Sequence, residues 1–307
     1  MPRAAVHLVS LLWVALAAGS VAANEAATAQ TDALPEVAAI ATDAAATAQT
    51  DALPDVAAIA TDAVPLSARD ILHRALENRF DLDALAEIEI RVRSRGGELD
   101  IKRARIASKR VDGLVYSFGR FSYPDELRDM AMLRLQNADR TDDFFAYIPE
   151  QLRVRRLAMP QRSDMFVGTD ATYEDIERRQ VDDYTMELSP SRRIDGEDVF
   201  VVVTLPHYDE SGYERVDYLV AKSDFAIIEQ HHYRMDQPEP FKIIRSPRAH
   251  LVEMQGHLVP MRIEMTDRLL GTITELRIKK IDINLSLPDS LFTTTSLSRE
   301  RKLPRVK

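Results

Sequence analysis

No cysteine occurs anywhere in the chain. That removes structural disulfides, thiolate metal sites and a lipid-modified N-terminal cysteine. The common catalytic signatures are missing too: there is no G-x-S-x-G, no H-E-x-x-H, no G-x-G-x-x-G and no P-loop. Nor is there a basic excess. The formal charge is −9, but residues 1–66 hold one base, Arg3, against seven acids, which leaves 39 bases and 42 acids, or −3, in 67–307. A near-neutral domain lacks the electrostatic footprint that nucleic-acid binding needs.

What is present begins with a secretory pattern. Residues 1–23 read as a signal: Arg3, an apolar run from Leu8 to Ala18, then Val21-Ala22-Ala23 as a cleavage site. The run is shorter than the roughly 20 residues that span a bilayer, although a retained anchor is the alternative reading. Export without disulfides suits a Gram-negative periplasm better than a eukaryotic secretory route. Residues 26–44 and 45–63 then form a direct 19-residue repeat that differs only at Glu36 versus Asp55. Each copy carries one Pro, little bulk and net negative charge, so it cannot bury much surface. Residues 24–66 are expected to be a disordered Ala/Thr-rich spacer, with a docked helix as the alternative.

The ordered domain is expected over 67–297, followed by a basic tail at 298–307. Ser67 is a good N-cap with Asp70 three residues on, and Ile71, Leu72, Ala75 and Leu76 form an apolar stripe, which predicts a helix over 68–78. From residue 84 the period changes to two. Gly96-Gly97 marks a hairpin, and Leu99, Ile101 and Ile106 lie on the return strand. Further strands are predicted at 114–121, 130–136, 143–148, 152–158, 184–189, 198–205, 213–221, 225–235, 240–245, 249–255, 259–266 and 272–285. Short connections between so many strands predict a mainly β fold, an antiparallel meander that curls on itself.

The stretch Asp142–Asp183 carries the most specific pattern. Asp142-Asp143-Phe144-Phe145 leads to Tyr147 and Pro149; Arg155-Arg156 follow, then Phe166-Val167-Gly168-Thr169-Asp170 and Tyr173-Glu174-Asp175. Later come Val216-Asp217-Tyr218-Leu219-Val220, Pro260 with Met265, and Asn284 to Phe292 reading NLSLPDSLF. Together these resemble the LolA-like family of outer-membrane lipoprotein-sorting proteins over roughly 67–297. Two departures stand out: Phe144-Phe145 replace a frequent Trp, and Leu219-Val220-Ala221 soften a Trp-Val-Asp. The resemblance implies an incomplete antiparallel barrel with a helical lid and a non-enzymatic carrier of lipid or lipoprotein acyl chains. It further implies transient membrane contact, and an exporter of the resistance-nodulation-division type or an outer-membrane receptor as partner. An accessory role at such an exporter, without a carried lipid, is the alternative.

No cofactor or metal is expected. Adjacent His231 and His232 point to opposite faces of a strand and cannot share an ion from it. Glu174 and Asp175 are expected at the positive end of a short helix starting near Thr172, paired with Arg178 or Arg179 at i, i+4, rather than as an acid–base couple. The candidate cavity or rim residues are Phe144, Tyr147, Arg155, Arg156, Met165, Phe166 and Tyr173. Arg155 or Arg156 would meet a headgroup bidentately. Met130, Met132, Met159 and Met165 offer adaptable lining. Each methylene moved out of water into such an interior gains about 0.8 kcal/mol.

Overall fold

Residue 66 opens the region that the computed structural model describes; it comprises 66–77, 83–138, 142–157, 162–166, 168–177, 180–208, 211–255, 257–298, 303 and 306. The predicted signal, the tandem repeat, Met159, Arg178 and Arg179 lie outside those residues.

Helix α1 (Ala68–Glu77) starts where its cap predicts. The Ser67 hydroxyl accepts the Asp70 N–H at 3.1 Å, and the Asp70 carboxylate accepts the Ser67 N–H at 3.1 Å. The Ser67 hydroxyl also donates to the Asp70 carboxylate at 2.6 Å, and this bond, with that from the Ser67 N–H, holds the Asp70 pKa below its ordinary value. The apolar stripe Ile71, Leu72, Ala75 and Leu76 is buried against Val202, Tyr218, Val220 and Ile227.

Among the described residues fifteen strands follow: β1 (Ala84–Arg93), β2 (Leu99–Val111), β3 (Leu114–Tyr123), β4 (Ala131–Leu135), β5 (Asp143–Ile148), β6 (Arg153–Arg156), β7 (Tyr184–Ile194), β8 (Glu197–Pro206), β9 (Arg215–Ala221), β10 (Ile227–Tyr233), β11 (Lys242–Arg245), β12 (Leu251–Met254), β13 (His257–Pro260), β14 (Arg262–Asp267) and β15 (Thr272–Ile283). Helices α2 (Tyr173–Ile176) and α3 (Thr294–Ser298) are short. Thirteen strands form one antiparallel sheet in the order β6-β5-β4-β3-β2-β1-β15-β14-β11-β10-β9-β8-β7, and β12-β13 make a separate hairpin. The first strand pairs with the last, Ile88 opposite Ile278 and Ile90 opposite Leu276, which joins two meanders. Strands β6 and β7 stay at opposite ends of the order, so the sheet does not close into a barrel.

Two predicted strands differ. The run 259–266 is divided: β13 pairs only with β12, whereas β14 pairs with β11 and β15. The division falls after Pro260, which has no N–H to give a ladder. Strand β7 continues past 189 to Ile194, with a register shift between Ser189 and Arg192. That irregularity accommodates Pro190 on an edge strand.

Alternation along the strands makes two faces. Ile88, Ile90, Met132, Phe144, Ile244, Ile263, Met265 and Leu276 share one, which runs on beneath α1. The opposite face has two apolar regions. Leu85, Phe118 and Leu133 lie under the C-terminal segment, whose Leu287, Leu291, Phe292, Leu297, Leu303 and Val306 are buried. Val201, Leu219 and Ile228 lie beside Leu251 and Leu258 of the β12-β13 hairpin. Between these regions the opposite face carries ion pairs, Arg262–Glu275 and Arg277–Glu275 among them.

Candidate functional site: a strap across the sheet and the pocket beside it

The chain leaves β6 at one edge of the sheet and enters β7 at the other. The described residues of the connection, 157, 162–166, 168–177 and 180–183, form a strap across the face bearing Ile88 and Met265. Its attachments follow the strand order. Leu157 N–H donates to Phe144 O on β5 at 2.8 Å. Asp170 reaches β15 in the middle of the sheet: Thr274 Oγ1 donates to its carboxylate at 2.7 Å, Thr272 donates as well, and the Asp170 N–H returns a bond to Thr274 Oγ1 at 2.9 Å. Asp175 reaches Lys242 on β11 at 2.5 Å. Glu174 accepts from Tyr208 Oη at 2.5 Å, Ser211 Oγ at 2.6 Å and the Gly212 N–H at 2.7 Å, all in the β8–β9 connection.

Local sequence explains the strap's shape. Gly168 has φ +69°, a left-handed conformation that costs a side chain-bearing residue energy. It lets the chain reverse so that the Phe166 N–H meets the Ala171 carbonyl at 2.6 Å. Thr172 caps α2 in a reciprocal box with Asp175. Thus the helix begins where its sequence predicts, but Glu174 and Asp175 find their partners in the sheet and its loops. Asp170, Glu174 and Asp175 are engaged in fastening.

The Asp175 attachment is a buried network. Asp175 and Lys242 side chains are both 1% exposed. Tyr213 Oη donates to Asp175 at 2.7 Å, lies 2.9 Å from Thr172 Oγ1, and accepts from Lys242. Burial, the largest single effect, acts to raise the Asp175 pKa, but the Lys242 charge together with hydrogen bonds from Lys242 and the Thr172 N–H holds the carboxylate below its ordinary value. His232 packs on Tyr213 with centroids 4.4 Å apart and the rings tilted, and among the described residues neither of its ring nitrogens has a hydrogen-bond partner. Burial pushes its pKa down to about 3, so the ring is neutral. His231, one residue back, faces the other way and meets Glu229 at 2.9 Å.

The seven sequence-derived candidates separate into groups. Phe144, Phe166 and Tyr173 come together: Tyr173 takes Phe166 at 5.0 Å and Phe144 at 5.9 Å, both edge-on. Met130 and Met132 belong to the same cluster. Tyr147 is on the opposite face, packed with Val154 against the C-terminal segment. Arg156 shares that face and pairs with Asp143. Arg155 is exposed on edge strand β6, opposite Ala146. Met165 is 51% exposed and stands at the rim of a pocket.

That pocket has a volume of about 260 Å³. Asp170, Thr172, Tyr213, Arg234, Lys242 and Asp267 give it charged and hydroxylic walls, while Met165, Phe241, Leu269 and Leu270 supply apolar ones. Lys242, Tyr213 and Arg134 were not singled out by the sequence reading. A signal for Lys242 did exist: it shares strand parity with Ile244 in a run Phe241-Lys242-Ile243-Ile244, and a lysine on a buried face requires an acid. Arg134 likewise shares parity with Met132 and is buried against Asp142 at 2.6 Å. Among the described residues no group of three or more His, Cys, Asp or Glu is placed to hold a metal ion, and no helix is long and apolar enough to cross a membrane.

Comparison with known proteins places this geometry. A family model described as "-like: Uncharacterized protein" matches residues 113–299, more than half of the chain. No curated protein matches the sequence. Among solved structures, an outer membrane lipoprotein-sorting protein domain from Vibrio parahaemolyticus is similar at 21% identity and TM-score 0.68, covering 75% of this chain and 98% of its own. A DUF1329 family protein from Desulfovibrio piger gives 21% identity and TM-score 0.68, with 75% and 97% coverage. A LolA superfamily protein from Nitrosomonas europaea gives 25% identity and TM-score 0.57, with 75% and 98% coverage. With a family model matching more than half of the chain and these solved structures sharing its fold, the chain belongs to the matched family and its fold is LolA-like.

Proposed function

We propose that this protein is a periplasmic carrier that shelters the acyl chains of a lipid or lipoprotein on the strap-covered face of its sheet. The observation that carries the reading is how the strap is held. Its apolar side chains Phe166, Ala171, Tyr173 and Ile176 fill the middle of that face, whereas its attachments are hydrogen bonds and one buried ion pair. Phe166 and Tyr173 occupy the face where they pack, so loading a tail there requires the strap to move aside. A tail would then replace the strap's apolar contacts at about 25 cal/mol per Å² of buried surface. The strap's Glu174 would return to water, where a carboxylate is well solvated, while the Asp170 attachment to β15 stays in place. The two states therefore differ by a small balance of large terms, which a ligand preferring the open state can tip.

The test is uptake of a fluorescent fatty acid by delipidated protein, comparing wild type with Glu174→Gln, which weakens the anchor to the β8–β9 connection. Saturable binding, faster in the variant, is the expected result. Absence of binding in both would sink the carrier reading. The interior filled by Phe144, Phe166 and Tyr173 would then favour the other candidate, an accessory subunit of an inner-membrane exporter, and a pull-down from membranes with and without lipid would test that.

A further inference from the structure

The polar pocket is a poor place for a hydrocarbon but carries the features of a headgroup site, and the inference here rests on the carrier reading above. It opens beside the strap at the end of the sheet where β14 turns into β15 and β10 into β11. Two cations and two carboxylates line it. Lys242 is engaged by Asp175 and Tyr213. Arg234 is exposed, and its guanidinium stands over Phe241 at 4.4 Å. Asp267 is buried and accepts the Leu269 and Leu270 N–H groups at 2.9 and 2.8 Å through a single oxygen, Oδ1. Asp170, also buried, lines the same cavity as Asp267, with one carboxylate oxygen accepting from Thr272 and the other from Thr274, and burial raises its pKa. Two carboxylates lining one small cavity gain from an incoming cation. A guanidinium at the mouth gains from an anion and can take it bidentately.

Both signs in one small cavity select against a simple anion and against a simple cation. The rim adds a third feature. Met165, Leu269 and Leu270 are 51%, 47% and 46% exposed and flank the opening, which is where the apolar part of an amphiphile would leave a polar pocket for the strap-covered face.

We infer that this pocket binds the zwitterionic head of an amphiphile, its ammonium against Asp170 and Asp267 and its phosphate or carboxylate at Arg234. The shared chemistry is an ammonium and an anion a few bonds apart. It could belong to a phospholipid such as phosphatidylethanolamine or to a free soluble zwitterion.

Calorimetry on the delipidated full chain separates these. The probes are lysophosphatidylethanolamine and lysophosphatidylglycerol of equal chain length, both below micelle formation, and glycerophosphoethanolamine, which has no tail. The expected result is binding of the zwitterionic lysolipid about ten-fold tighter than the anionic one, with Asp267→Asn and Arg234→Gln each removing most of that preference. Arg234 is exposed and lies outside the Asp175 network, so its variant keeps the test valid should Asp267→Asn unfold the turn. Binding of glycerophosphoethanolamine alone would support the site and assign it to a soluble zwitterion. Equal binding of the two lysolipids, unchanged in the variants, overturns the headgroup site while leaving the carrier reading intact. Absence of binding by every probe overturns both.

Discussion

Lys242 on β11 and Asp175 on the strap lie 2.5 Å apart with both side chains 1% exposed, making a buried ion pair between two segments 67 residues apart in sequence. Removing one partner leaves a charge without compensation. Lys242→Met is expected to cost about 3–5 kcal/mol in urea unfolding. The double variant Lys242→Met, Asp175→Asn should recover part of that loss. A double variant whose loss equals the sum of the two single losses would show that the pair is not coupled.

His232 makes stability depend on pH in a defined window. Its folded pKa is about 3, against about 6.5 for an unfolded histidine. Between those values the unfolded chain binds a proton that the folded chain refuses, so stability falls as pH drops from about 6.5 towards 3. The slope approaches 1.4 kcal/mol per pH unit. Asp175 acts lower down: its depressed pKa contributes stability above about pH 4, lost as pH falls through the folded value. His232→Phe keeps a ring against Tyr213 and removes the titration. Urea unfolding between pH 5 and 6.5 should show a shallower slope in this variant, and an unchanged slope would assign the effect to other groups.

Gly212 is where strap and loop backbones approach. A Cβ there would stand 2.8 Å from Ser163 Cβ and 3.3 Å from Ser163 Cα. Gly212→Ala should therefore destabilise by about 1–3 kcal/mol. At Gly96 the nearest atom to an added Cβ is Ser94 Oγ at 3.7 Å, an ordinary contact, so Gly96→Ala should shift stability by no more than about 0.5 kcal/mol. Thermal melts of the two variants side by side check the contrast.

Phe166 and Met165 are neighbours with opposite surroundings, one 0% and the other 51% exposed. Phe166→Ala should cost about 3–5 kcal/mol and, by emptying the centre of the strap-covered face, increase fatty-acid uptake. Met165→Ser should leave stability within about 0.5 kcal/mol. Equal melting temperatures for the two variants would place Phe166 outside the packed interior.

Much of the fold could be read from local pattern because its causes are local. The Ser67 cap, the stripe from Ile71 to Leu76, the two-residue alternation and the Thr172 box each arise from residues within one turn or one pleat of each other. Motif content was enough to identify the LolA-like resemblance, including the Phe166 to Asp170 string. Among the site candidates, Phe144, Phe166 and Tyr173 proved to be neighbours. Tyr147 did not join them, because strand parity alone cannot say which face of β5 the strap will cover.

Composition and periodicity by themselves determined a near-neutral, cysteine-free, mainly antiparallel β domain with one capped amphipathic helix. The tertiary structure decided the rest: that β1 pairs with β15, that the strap spans the sheet from edge to edge, and that Asp170, Glu174 and Asp175 fasten it to Thr274, Gly212 and Lys242. The reason is physical. Helix caps and alternation act over a few residues, whereas the partner of a buried charge is whichever group the completed chain path brings within hydrogen-bond reach.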